Sequence, residues 1–206
     1  MTEFIELVKS RRSASNFLKE NSMTQKDFKE IFELVKLAPS AFNLQHTKYL
    51  VVTDPEVKEQ LKTAANGQYK VQAASAVILV LGNKLAYKNT AAINEGLLML
   101  GIVNKQEYDF MVEDTVSLYE TRGEAFQRDE AIRNASLSAM MFMLVAKDKG
   151  WDTCPMIGFD PEETKKILGI SNQYEPVLMI TIGKEKLESR KPRGYRKPVG
   201  EFVSYV

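Results

Sequence analysis

An α+β fold is predicted, and three observations predict it. Helical periodicity dominates the chain. Three short runs are instead apolar and rich in β-formers, Tyr49–Thr53, Ala76–Leu81 and Val177–Ile182. These runs do not alternate regularly with single helices, so a βαβ sheet is not expected. The expectation is helices packed over a small sheet. The chain of 206 residues suffices for one sizeable core, and 1–206 reads as one domain.

The elements follow in order. Residues 3–10 read as a short helix. Thr24 is a helix N-cap, with Asp27 at the third helical position, close to a capping box. Phe28, Ile31, Phe32, Leu34, Val35 and Ala38 then keep helical spacing until Pro39. Tyr49–Thr53 is a strand, and Asp54-Pro55 opens a helix through about residue 64. Ala76–Leu81 is apolar at every position, as in a central strand buried on both faces. Residues 90–103 and 128–149 are longer helical stretches, and Ala135–Ala146 carries no charge. Residues 104–127 between them are more polar and helical in part. Pro161 starts a short helix ending near Gly169, and Val177–Ile182 is a third strand. The remainder, 184–206, is basic and extended. Its end, Phe202–Val206, alternates like an edge strand with no hairpin partner in sequence, open to pairing with another chain.

Composition narrows the function classes. A formal net charge of +1 gives no general attraction to nucleic acid or membrane. No apolar run is long enough to span a bilayer. The N-terminus lacks the basic region and apolar block of a secretory signal, so a cytoplasmic location is expected. Cys154 and His46 are the only residues of their types, which excludes an intrachain disulfide, a thiolate zinc site, an iron–sulfur cluster and a histidine-rich metal site. No metal is expected. There is no Gly-x-Gly-x-x-Gly turn, P-loop or nucleophile–base pair.

Five segments carry candidate chemistry, and each has a bland alternative. Arg11-Arg12-Ser13 offers forked donors for a phosphate or a polar ring; alone, it is a solvated pair at a helix C-terminus. Ala38-Pro39-Ser40-Ala41-Phe42-Asn43-Leu44-Gln45 combines small residues with hydrogen-bonding groups; alone, it is a helix-to-strand turn. Asn66-Gly67-Gln68-Tyr69-Lys70 is equally a polar loop. Cys154-Pro155-Met156-Ile157-Gly158 permits close backbone approach at its glycine. Cys154 reads as a small packed hydrophobe rather than a nucleophile. The cluster Arg190–Pro198 is a basic tail unless its arginines are gathered.

Taken in this order, the five segments resemble the nitroreductase family over essentially the whole chain. The resemblance implies a nitroreductase-like fold, with helices around a small central mixed sheet and the C-terminal strand exchanged with a partner subunit. It implies FMN bound between two subunits of a homodimer. The cofactor-binding residues it implies are Arg11, Arg12, Ser13, Pro39, Ser40, Ala41, Asn43, Gln68, Lys70, Pro155, Met156, Ile157, Gly158, Arg193 and Arg196. Among these, the Pro39–Asn43 turn would reach the partner's flavin, and Gln68 and Lys70 the pyrimidine ring. The 155–158 backbone would donate to N5, and Arg196, with Arg193 or Lys197, would hold the phosphate. Three departures stand out: Ser15-Asn16 where a further Arg often lies, His46-Thr47 where Pro-Trp is usual, and Ile157 where one branch has Glu. His46 reads as a structural or surface residue rather than a proton donor.

The implied activity is electron transfer from NADH or NADPH to a small-molecule acceptor, a nitroaromatic or quinone, by an alternating mechanism. No catalytic side chain is required, since the flavin carries the chemistry. The alternatives are a dehalogenase-like or azoline oxidase-like activity and a non-catalytic flavin store or sensor. A helical interaction module using Met140, Met141 and Met143 is a third, weighed against plain core packing.

Overall fold

The computed structural model describes residues 3–19 and 21–206. Helix α1 (Phe4–Ser10) leads to α2 (Gln25–Val35), whose N-cap Thr24 and Asp27 form the expected reciprocal capping box. Strand β1 (Thr47–Val52), helix α3 (Pro55–Ala64), helix α4 (Tyr69–Ala73) and strand β2 (Ala76–Asn83) follow. Asp54 caps α3 by accepting from the N–H groups of Glu56 and Val57, with Pro55 at its first turn. Helices α5 (Thr90–Met99) and α6 (Lys105–Asp148) form the long helical region. The polar segment expected to be helical in part is thus helical almost throughout. Its one break is Gly123, at φ 74 and ψ −174, a conformation essentially confined to glycine. Strand β3 (Asp152–Met156), helix α7 (Pro161–Leu168) and strand β4 (Tyr174–Gly183) complete the body. Gly169 ends α7 in the left-handed region, at φ 62.

The strands lie in the order β1-β2-β4-β3, and every ladder is antiparallel. The expected mixed sheet is corrected here. Each connection between strands adjacent in both sequence and sheet leaves and re-enters at one end, as a hairpin does, although helices fill it. Among the described residues, parallel pairing survives only in an isolated bridge between Ser13 and Thr153. Strand β3 was not expected, and Pro155 lies within it. Proline is tolerated there because β3 is an edge strand.

Alternation along β2 divides the core. Ile78 and Val80 face α2 and the second half of α6, with Phe142, Ala139 and Trp151. Val77, Leu79 and Leu81 face the α3 and α7 side, with Leu61, Val71 and Met179. Residues 76–82 are all buried, so the strand is covered on both faces as expected. Burying each such Val, Leu or Ile contributes about 1.5–3 kcal/mol. Helix α6 comes so close to β2 that a Cβ at Gly82 would lie 2.6 Å from the Ala131 carbonyl oxygen. Among the described residues, no helix is long and apolar enough to cross a membrane.

Phe202–Val206 forms no strand within the chain. A 3₁₀ turn at Val199–Glu201 precedes it, and Phe202, Tyr205 and Val206 are exposed.

Candidate functional site

The end of α1 meets the tail at a cavity of about 520 Å³. Helix α1 stops at Arg11, where the backbone turns extended. The chain then zips onto the sheet edge: Ala14 N–H donates to Thr153 O at 2.9 Å and Leu18 N–H to Lys184 O at 2.9 Å. Residues 190–198 return across this segment. Arg12 donates to Lys191 O, and Arg193 donates to Lys9 O at 2.5 Å and Arg11 O at 3.1 Å. Arg196 bonds only to the carbonyls of its own neighbours, Gly194 and Tyr195.

The result is a cavity lined by Arg11, Arg12, Lys70, Lys191, Arg193 and Arg196, with Ser13 and Cys154. Among the described residues, no carboxylate lines it. Partial burial, then the charges of Arg193 and Arg196, push Arg11 below its ordinary pKa. Like charges brought together this way favour an anion strongly. Lys70 Nζ lies 3.4 Å from Cys154 Sγ, so the buried thiol forms part of the wall. It was expected only as packing.

Beside the cavity, Gln68 Nε2 donates to Gly158 O at 3.0 Å and Asn66 Nδ2 to the same oxygen at 3.3 Å. The 66–70 loop and the 155–158 segment are therefore one surface. Met156 is buried, whereas Ile157 and Gly158 are exposed beyond the end of β3.

The Pro39–Gln45 turn stands apart. Pro39 and Ser40 line a separate cavity of about 210 Å³ with Tyr49, Asn134 and Ser138. The turn is strained: Phe42, Asn43 and Gln45 have φ of 52, 53 and 50. Positive φ costs on the order of 1 kcal/mol or more for a non-glycine residue, less for Asn. The turn persists because it is over-determined. Asn134 Oδ1 accepts from Ala41 N–H at 2.7 Å, and Ser40 Oγ from Gln45 N–H at 2.9 Å. Leu44 and His46 are buried beneath it, and the Phe42 ring meets Tyr119 edge-on at 6.4 Å. Asn43 and Phe42 remain exposed. Strain of this kind clusters at ligand clamps.

Thus Arg11, Arg12, Ser13, Lys70, Arg193 and Arg196 share one cavity, with Gln68 and Pro155–Gly158 beside it. Pro39, Ser40, Ala41 and Asn43 do not join them within one chain. Asn134, which holds the turn, lies in mid-helix and carried no sequence signal.

His46, read from the sequence as a structural or surface residue, is fully buried. Its Nε2 lies 3.2 Å from the Tyr119 hydroxyl, and its Nδ1 has no partner. Burial lowers its pKa to about 4. The unfolded chain, with a value near 6.5, binds the proton more readily. The contribution of His46 to stability is therefore full above about pH 6.5 and is lost as pH drops toward 4, by roughly 3 kcal/mol at about 1.4 kcal/mol per pH unit. Urea midpoints measured from pH 7 to 4.5 should fall more steeply for the wild type than for His46→Gln. Parallel profiles would refute this account.

A sequence model described as Nitroreductase family matches residues 8–184. A Bacillus subtilis (strain 168) protein named "Putative NAD(P)H nitroreductase MhqN" is 71% identical over 206 residues, covering 100% of each chain. A nitroreductase structure in complex with FMN, from Exiguobacterium sibiricum, superposes with a TM-score of 0.91. It is 29% identical, over 100% of this chain and 98% of that one. An enone reductase of gut-bacterial fatty acid saturation superposes at 0.88 with 25% identity, over 100% and 99% of the two chains.

Proposed function

This chain belongs to the nitroreductase family, and from that premise we propose that it binds FMN and passes electrons from NADH or NADPH to nitroaromatic or quinone-type acceptors. It is an NAD(P)H-dependent flavin oxidoreductase. The observation that carries the FMN reading is the donor set: among the described residues, six cations and no carboxylate surround one cavity, which suits a phosphate dianion and little else. When bound, FMN supplies the two-electron chemistry. The protein binds and orients. Arg11, Arg12, Ser13, Arg193 and Arg196 would hold the phosphate end. Gln68 and Lys70 would meet the pyrimidine ring, where a cation favours the reduced, negatively charged state. Pro155, Met156, Ile157 and Gly158 would bring a backbone N–H toward N5. The exposed Gly158 allows that approach.

We further propose that Pro39, Ser40, Ala41 and Asn43 complete the site of a second copy in a homodimer. Their separation from the cationic cavity supports this, as does the strained turn that presents Asn43 outward. The exposed Phe202–Val206 segment is the candidate for exchange between subunits.

Donor and acceptor would use one site in turn. The purified protein should show flavin absorbance and oxidise NAD(P)H only when nitrofurazone, menadione or an enone is added. Double-reciprocal plots with both substrates varied should be parallel. A colourless protein that takes up no FMN on titration would refute the reading, and intersecting lines would refute the alternating order.

A further inference from the structure

The two walls of the cationic cavity are joined to each other directly only by arginine donors on neutral backbone carbonyls, Arg12 on Lys191 O and Arg193 on Arg11 O, among the described residues. One wall is the Arg11–Ser15 segment and the other is the tail from Lys191 to Arg196. Both are positively charged, so they repel across the space between them. The tail has no regular structure there, and its residues 191–198 are exposed. Something must hold it against the repulsion in a defined place.

Glu185 has the geometry to do this. It lies just beyond β4, with only 2% of its side chain exposed. Its backbone is pinned by a bridge to Phe17, and its N–H donates to Asp152 Oδ2 at 3.1 Å. Its carboxylate grips the first wall and the residue just before the second. Oε1 accepts from Ser15 N–H at 3.2 Å, and Oε2 accepts from Arg190 Nε at 2.7 Å. Among the described residues, Glu185–Arg190 is the only salt bridge joining residues 190–206 to the rest of the chain. The other attachments of the tail end on neutral backbone carbonyls. This charge-assisted pair, with a buried carboxylate and with Arg190 Nε and Nη2 at 2.7 and 2.6 Å from the same Oε2, is stronger than these. It is also behind the cavity: neither Glu185 nor Arg190 lines it.

We propose that Glu185, through Arg190, is the positioning residue of the phosphate cradle and so determines selectivity for the phosphorylated flavin. This rests on the reading that the cavity takes the FMN phosphate. Glu185 sets the separation of the two arginine walls without touching the ligand. Its removal should therefore loosen the grip on a phosphate while leaving ring contacts from the 66–70 and 155–158 segments in place.

The test compares FMN with riboflavin, which has the same ring and no phosphate. Dissociation constants for both are measured by quenching of flavin fluorescence, for the wild type, Glu185→Gln and Arg190→Gln. Glu185→Gln keeps an oxygen for Ser15 N–H, and Arg190→Gln changes a partly exposed residue, so the second variant carries the test if the first fails to fold. In both variants the FMN constant should rise at least tenfold and the riboflavin constant should stay within twofold. An unchanged FMN-to-riboflavin ratio would overturn the proposal, and so would equal weakening of both ligands, which would mark a general structural role. A wild type that binds riboflavin as tightly as FMN would instead overturn the phosphate-cavity reading, and the role of Glu185 with it.

Discussion

Arg11→Ala is expected to weaken FMN binding by about 1.5–3 kcal/mol, the range for a lost charge-assisted hydrogen bond. That is one to two orders of magnitude in Kd. The structure makes the experiment clean. Arg193 docks the tail on the backbone carbonyl of Arg11, not on its side chain. An alanine therefore removes the guanidinium and leaves the docking bond in place. Arg196→Ala should act alike, because Arg196 bonds only within its own turn. Arg193→Ala differs, since its guanidinium also ties the tail to Lys9 and Arg11. Calorimetric titration of the apo protein with FMN measures all three. If Arg11→Ala and Arg196→Ala both bound FMN as the wild type does, the phosphate assignment would be wrong.

Leu137→Glu is expected to convert the proposed homodimer into a monomer of about 23.3 kDa. Leu137 and Met140 are 48% and 42% exposed on the uncharged stretch of α6, whose opposite face, with Ala135, Ala139 and Phe142, is buried in the core. Two apolar faces on one helix need two partners, and the chain supplies one. An obligate interface buries more than about 2,000 Å² and is rich in apolar atoms. In a two-fold dimer the new charge enters twice. Each uncompensated buried charge costs on the order of 3–5 kcal/mol. Light scattering at micromolar concentration reads the mass, and flavin retention should fall with it. A flavin-loaded wild-type monomer would contradict the shared site.

Much of this architecture was legible in the residues. Thr24 with Asp27, Asp54 with Pro55, and Gly169 mark helix ends by local chemistry that tertiary packing did not override. Ala76–Leu81 announced the central strand because burial on both faces leaves no polar position. Strand β3 was hidden by Pro155, whose presence argues against a strand unless the strand is known to lie at an edge. The continuity of α6 was hidden because its first half packs on α5 and around Tyr119 rather than along one stripe. The gathering of Arg11, Lys70, Arg193 and Arg196 was approached through resemblance, since the 59 residues from Arg11 to Lys70 and the 123 from Lys70 to Arg193 carry no local signal. Glu185 and Asn134 offered no motif at all. Each acts by what it holds, and that appears only when distant segments meet.

The turn at Phe42, Asn43 and Gln45 also bears on how such a protein can change over generations. Glycine at these positions would relieve the positive-φ cost, and relief of that kind is readily found by selection for heat tolerance alone. The same change would enlarge the conformational freedom of the unfolded chain, which limits the gain. It would also delete the side chain that Asn43 offers outward. Lineages pressed only for thermal endurance would thus drift toward sturdier chains with a poorer shared site. Retention of bulky or polar residues in a left-handed turn would then be a record of pressure on turnover rather than on folding.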